Sequence, residues 1–261
     1  CRCLVGSEMC IRDRSVNVLG IDVGGSGFRT GVFNLASGAL IGELERHEHG
    51  TSTEPREVLA AIRAALQAMN WHGPIGIGFP GAVNDGRATT APNLGEAWIG
   101  FDVAQALERF HGGRFAMIND ADAVAVAERH HGAGHGDARC VLTLTVGTGL
   151  GTTLHRNGTL VPNLEYGRQP PPTRPGCLEE HLSGRARRTQ GLSLEAWAER
   201  FQEGLAHLEA TLQPDRIVLY GGMMEHWTAL QPLLSTRAEL VAATLLETAG
   251  TLGAALAVQP L

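Results

Sequence analysis

Lysine is missing from this chain of 261 residues, and all 21 of its basic residues are arginine. That excludes a P-loop of the form GxxxxGK[ST], whose lysine reaches the phosphates. It leaves phosphate chemistry open, because the forked guanidinium is the better match to phosphate oxygens. With 27 acidic residues the formal net charge is −6, so the overall field does not draw nucleic acid, and a polyanion has to be met by a local arginine cluster. Long apolar runs are also lacking: none approaches the roughly 20 residues of a membrane span, and no charged-then-apolar start reads as a secretory signal. The five cysteines, Cys1, Cys3, Cys10, Cys140 and Cys177, are an odd number without a paired framework, which fits a reducing compartment. The expectation is a cytoplasmic protein with neither a membrane nor a nucleic-acid partner.

What is present is one pattern used twice. Val18 to Gly42 and Val141 to Asn163 each begin as an apolar, β-branched strand and break at a glycine-rich turn. Each then resumes, turns at Ser37-Gly38 or Asn157-Gly158, and resumes again. The turns, Gly24-Gly25-Ser26-Gly27 and Gly147-Thr148-Gly149-Leu150-Gly151, allow positive φ and carry backbone N–H groups bare of side chains, which can close on phosphate oxygens. One such turn alone is an ordinary hairpin. A matched pair brought face to face would hold a phosphate chain between two lobes, which points to phosphoryl transfer.

Around these units the chain alternates strands and helices. A helix of about 14 residues with apolar Val58, Leu59, Ile62, Leu66 and Met69 follows Glu54-Pro55, and a strand Ile75 to Phe79 ends at Pro80-Gly81. A polar stretch from Asn84 to Asn93, a helix near Val103 to Phe110, a strand Phe115 to Ile118 and a helix Ala121 to His130 lead into the second unit. Beyond it lie a Pro-rich loop from Asn163 to Gly176, helices at about Leu178 to Arg188 and Leu194 to Leu212, and a strand Arg216 to Tyr220 before Gly221-Gly222. A strand near Leu240 to Ala243 and a helix from about Ala249 to Ala257 complete the order. Such alternation describes mixed sheets with helices packed on them. The long Pro-rich loop reads as a wall of the site or a lid. Cys1 to Arg14 show no period that continues into the first strand and read as a non-native leader.

Several residues carry candidate chemistry. Asp22 ends the first strand at the glycine turn, where a carboxylate holds Mg²⁺ through water or, in the plainer reading, shapes the turn. Asp120 stands where a strand meets a helix: it is either a helix cap or a general base at the carboxyl end of a strand, where such sheets place their ligands. Glu165, Arg168 and Glu179 flank the Pro-rich loop and are sugar-hydroxyl partners or surface residues. Arg185, Arg187 and Arg188 form a stripe that meets polyphosphate or faces water. Trp98 and Cys140 read as core.

Taken together, GIDVGGSG, GPIGIGFPGAV, APNLGEAWIGFD, INDADAVAVAE, LTVGTGLGTTLHRNGTLVPNLEYG and PDRIVLYGG resemble the ROK family of sugar kinases and repressors, and within it the polyphosphate glucokinase branch. The resemblance spans Val16 to Gln259. It implies an α/β, two-lobed actin/hexokinase-like (ribonuclease H-like) ATPase fold, each lobe a mixed sheet flanked by helices. The lobes would be residues 15–119 and 120–248, with 249–261 returning to the first. It implies phosphorylation of the glucose 6-hydroxyl, with Asp120 as base, Asn93 and Asn119 touching the sugar, and Glu165 as the glutamate of the family's E-x-G-H motif. Asp22, Gly24, Gly25, Ser26 and Gly27 would form one phosphate loop and Thr145, Gly147, Thr148 and Gly149 the other, with Gly221 and Gly222 near the adenosine or distal phosphates. Mg²⁺, polyphosphate or ATP as donor, glucose or a related hexose as acceptor, and a homodimer follow. The departures are Arg168 for the motif's histidine, Arg29 for the family's lysine after the first turn, and Met223 to Trp227 where a lysine-rich segment is common. Cys177 alone cannot make the zinc site of many members. The alternative is a non-catalytic or regulatory ROK-type sugar-binding protein; the segment before Val16 is too short for a helix-turn-helix.

Overall fold

The structure is a computed structural model that describes residues 17–50, 52–136 and 138–259; the leader proposed for residues 1–14 lies outside them. The duplicated pattern becomes a duplicated sheet. In the first, β1 (Asn17–Val23), β2 (Gly27–Asn34) and β3 (Ala39–Glu48) run antiparallel, and β4 (Ile75–Phe79) joins β1 in parallel after α1 (Pro55–Ala68). A two-stranded ribbon, β5 (Val83–Asn84) and β6 (Arg87–Ala88), and the short α2 (Val103–Ala106) precede β7 (Phe115–Asn119), which closes the order β3-β2-β1-β4-β7.

After α3 (Asp120–His131) the plan repeats with β8 (Cys140–Val146), β9 (Leu150–Arg156) and β10 (Thr159–Val161). Helices α4 (Glu179–Leu182), α5 (Gly184–Thr189) and α6 (Leu194–Leu212) follow, then β11 (Arg216–Tyr220), α7 (Trp227–Leu230), β12 (Glu239–Ala242) and α8 (Ala249–Leu256). The second sheet has the order β10-β9-β8-β11-β12, strand for strand the same as the first. The protein therefore has the two-lobed actin/hexokinase-like architecture.

Each sheet covers its own core. Val58, Leu59, Ile62 and Leu66 of α1 pack against Leu19, Ile21, Ile75 and Ile77. Trp197, Phe201, Leu205 and Leu208 of α6 do the same against Leu142, Leu144, Ile217 and Leu219. A third cluster joins α3 and α8 through Val124, Val126, Leu252 and Leu256. Helix α8 lies so close to the first sheet that a Cβ on Gly20 or Gly76 would overlap the carbonyls of Thr251 or Ala254, and so close to α3 that one on Gly253 would overlap the carbonyl of Ala123.

Three elements depart from the sequence expectation. The helix expected to reach Phe110 stops at Ala106, because Leu107 and Phe110 both turn into the first core. The helix expected over Leu178 to Arg188 is two pieces: Ser183 has extended backbone, and its hydroxyl accepts from the Ala186 N–H at 3.1 Å to cap the second. The polar stretch contains the β5–β6 ribbon, turned by Asp85 and Gly86 at φ 47° and 72°. Trp98 and Cys140 are buried, and the Trp98 indole donates to the Thr53 carbonyl at 2.7 Å.

Candidate active site

Both glycine turns stand at strand ends on the same side of their sheets, and both are closed in the same way. The Gly24 N–H donates to the Gly27 carbonyl at 2.8 Å, and the Gly147 N–H to the Gly149 carbonyl at 3.1 Å. The first amide of each turn is thus occupied, whereas those of Gly25, Ser26 and Thr148 donate no backbone hydrogen bond among the described residues. The freedom of positive φ that these glycines allow is not used: none of Gly24, Gly25, Gly27, Gly147, Gly149 and Gly151 adopts it. Crowding explains three of these six glycines. A Cβ on Gly27 would run into the His47 carbonyl, one on Gly151 into Thr145 and Ala121, and one on Gly149 would come 2.7 Å from the Glu179 carboxylate. Gly221 is the exception with φ 107°, pressed against the Val146 carbonyl.

Two cavities open beside these turns. One of about 320 Å³ is bordered by Thr145, Gly147, Thr148, Gly149, Glu165, Arg168, Glu179, Tyr220 and Gly221. The other, of about 620 Å³, is bordered by Asp22, Gly24, Gly25, Ser26, Gly27, Arg29 and Arg46. They meet at Pro80, Asn93 and Asp120, which line both. The turns therefore border adjoining cavities rather than a single one. Asn119 joins the first cavity, and Gly222 borders neither.

Asp120 is placed by a helix start. Asn119 caps α3 by accepting from the Asp122 N–H at 3.0 Å, and its amide donates to the Gly81 carbonyl at 3.1 Å. The cap is therefore Asn119 and not Asp120, which is left pointing at the junction of the cavities. Burial pushes the Asp120 carboxyl up to about 7, with the Asp22 charge adding to the rise and the Ala121 N–H, 2.8 Å away, opposing it. Burial also raises the Asp22 carboxyl, against the pull of Arg29. Tyr220, at the end of β11, is pushed up to about 12 by burial and then by Asp22, so its phenol stays protonated.

Around this junction lies a polar network with little trace in the sequence. Asp122 accepts from the Thr153 hydroxyl and the Asn163 N–H, both at 2.8 Å, while the Asn163 side chain grips Val83, accepting from its N–H at 2.9 Å and donating to its carbonyl at 2.8 Å. Burial raises Asp122 to about 6, against these two donors. One residue from α3, one from β9 and one after β10 thus tie the second hairpin unit to β5. Glu128, fully buried, likewise accepts from the N–H groups of Ala133, Thr244 and Leu245 at 2.7, 3.0 and 2.8 Å. The only sequence signal for either was charge inside an otherwise apolar helix.

Other candidates have partners within the protein, Glu179 while bordering the first cavity. Glu179 accepts from the Leu150 N–H at 3.1 Å and pairs with Arg185 at 3.4 Å. Arg187 is hydrogen-bonded to His226 at 3.1 Å, so the arginine stripe is largely engaged. Of the Pro-rich loop only Leu164, Glu165 and Arg168 reach the first cavity; Thr173 and Arg174 are tied to Glu203 on α6, at 3.0 and 3.2 Å. None of the loop's prolines lines the first cavity.

Asp22 suits Mg²⁺, which keeps much of its water and takes few carboxylates. Its carboxylate borders the second cavity and faces the bare Gly250, where a Cβ would come within 2.9 Å of it. No group of three or more His, Cys, Asp or Glu able to hold a metal occurs among the described residues, so a site at Asp22 would be completed by water and phosphate oxygens.

Comparison with known proteins agrees with this arrangement. The polyphosphate glucokinase of Mycobacterium tuberculosis is 34% identical over 239 residues, covering 91% of this chain and 89% of its own. A glucokinase of Streptomyces coelicolor is 32% identical over 186 residues, 64% of this chain and 56% of its own. The crystal structure of an inorganic polyphosphate/ATP-glucomannokinase from Arthrobacter sp. strain KM superposes with a TM-score of 0.84 at 30% identity, covering 93% of this chain and 98% of that one. The ROK family model matches residues 18–164, from the first strand through the second hairpin unit, and the chain belongs to the ROK family.

Proposed function

We propose that this protein is a sugar kinase that transfers a phosphoryl group from polyphosphate or ATP to the 6-hydroxyl of glucose, giving glucose 6-phosphate. The observation that carries the reading is the place of Asp120, shared by the two cavities that open beside the paired glycine turns. The donor's phosphates lie along the turns, held by the free amides of Gly25, Ser26 and Thr148, and Gly221 borders the path of the rest of the donor. The sugar lies in the first cavity against Asn93, Glu165 and Arg168. Asn119 reaches it only with the hydrogen-bonding capacity left after its two structural bonds.

Asp120 in its charged form accepts the proton of the incoming hydroxyl as that oxygen bonds to phosphorus and the bond from phosphorus to the donor's bridging oxygen breaks. The amides and Arg29 meet the charge spread over the transferring group. Mg²⁺ at Asp22 would supply further charge neutralisation there. Lobes of residues 15–119 with 249–261, and of 120–248, close on the sugar and exclude water. The relatives' names, polyphosphate glucokinase and polyphosphate/ATP-glucomannokinase, support both donor and hexose. The same reading makes the enzyme a cytoplasmic homodimer, which light scattering would show as twice the chain mass. No helix among the described residues is long and apolar enough to cross a membrane.

A coupled assay for glucose 6-phosphate with Mg²⁺ and either donor tests the proposal. Turnover with at least one donor is expected; no glucose 6-phosphate with either would contradict the glucokinase reading and leave a sugar-binding protein.

A further inference from the structure

The first cavity does not end at its sugar-facing residues. Glu165 and Arg168 also border a further cavity of about 440 Å³, whose lining includes Ala91, Pro92 and Ile99 beside Glu96 and two threonines. Asp120 borders the first cavity and not this one. A sugar whose reacting hydroxyl meets Asp120 therefore presents its other substituents towards Glu165 and Arg168, and through them towards the further cavity.

The apolar wall is unusual for an open surface. Four large hydrophobic side chains are exposed among the described residues, Ile41, Ile99, Leu233 and Leu246, and of these Ile99, 51% exposed, borders the further cavity. It is held in place from both sides: its N–H donates to the Glu96 carbonyl at 2.9 Å, and it bridges to Ala88. These are backbone ties, so the main chain is anchored while the apolar side chain faces water; beside the proposed sugar site it is suited to an apolar group attached to that sugar.

We propose that this cavity is a subsite for an apolar O-substituent on the sugar, an alkyl or aryl aglycone carried away from the reacting hydroxyl, so that the protein takes glycosides as well as free hexoses. The turnover of such glycosides rests on the kinase reading above; their binding does not.

Calorimetric titration of the full chain without donor, with glucose and with the phenyl α- and β-glucosides, tests it. One anomer is expected to bind about tenfold more tightly than glucose, the gain from burying one face of an aryl ring. Ile99→Asp should bring that ratio to about one and Ile99→Leu should keep it, on the scale of a single apolar contact. Equal or weaker binding of both glucosides relative to glucose, or a ratio unchanged by Ile99→Asp, overturns the subsite. With donor and Mg²⁺ added the two proposals separate. Phosphorylation of glucose with no preference for glucosides sinks the subsite alone, whereas a glucoside preference without turnover of any sugar sustains the subsite and sinks the kinase.

Discussion

A single carboxylate illustrates how position becomes chemistry. Asp120 follows a strand that ends at Asn119, and because Asn119 takes the capping role, the next carboxylate is free to face the cavities. Its elevated value of about 7 comes first from burial and then from Asp22. A base must be charged to work, so kcat/KM should rise about tenfold per pH unit below the apparent value and level off above it, near neutrality. A profile flat from about pH 5 to 8 would remove Asp120 from that role. Stability carries the opposite sign. The folded state holds the Asp120 proton more tightly than the unfolded chain, so the stabilising contribution is full below the unfolded value and is lost as pH rises through about 7. Asp120→Asn should therefore melt higher than the parent at pH 8 and nearly the same at pH 4, the gap at pH 8 being on the order of a few kcal/mol. At this scale the sequence was legible in residue type but not in conformation. The turn glycines allow positive φ but do not use it; Gly27, Gly149 and Gly151 instead give room against His47, Glu179 and Thr145, contacts that only the folded sheet creates.

Among elements, the repeated sheets were the most legible part of the chain, because strand alternation and the Ser37-Gly38 and Asn157-Gly158 turns are local signals. The position of α8 was not. Its contact with β1 and β4 rests on Gly20 and Gly76, and its contact with α3 on Gly253, residues that stand far apart in sequence and look ordinary singly. Gly76→Ala should push the helix off the sheet, since its Cβ would overlap the Ala254 carbonyl, and cost about 3 kcal/mol by urea unfolding. An effect below about 0.5 kcal/mol would show that the helix is not seated there. The Asp122–Thr153–Asn163 network was illegible for a similar reason, since its partners are 31 and 41 residues apart. Asn163→Ala should lower stability by about 2 kcal/mol, because it removes both bonds to Val83 and leaves an alanine at φ 56°.

The molecule as a whole is two copies of one sheet plan joined by α3 and α8, with the sites of the two turns adjoining at Asp120. Such a layout predicts that sugar draws the lobes together, so the scattering radius should shrink on adding saturating glucose; an unchanged profile would contradict closure. Without lysine, the proposed donor site has only arginine and backbone amides to offer a phosphate chain, and the family motifs carry that reading in the sequence itself. The most direct measurement is the turnover of Asp120→Asn set beside its affinity for glucose. A loss of about 10³-fold or more in kcat with the glucose dissociation constant within about threefold of the parent is what the assigned base requires. Retained turnover, or equal loss of binding and rate, would contradict it.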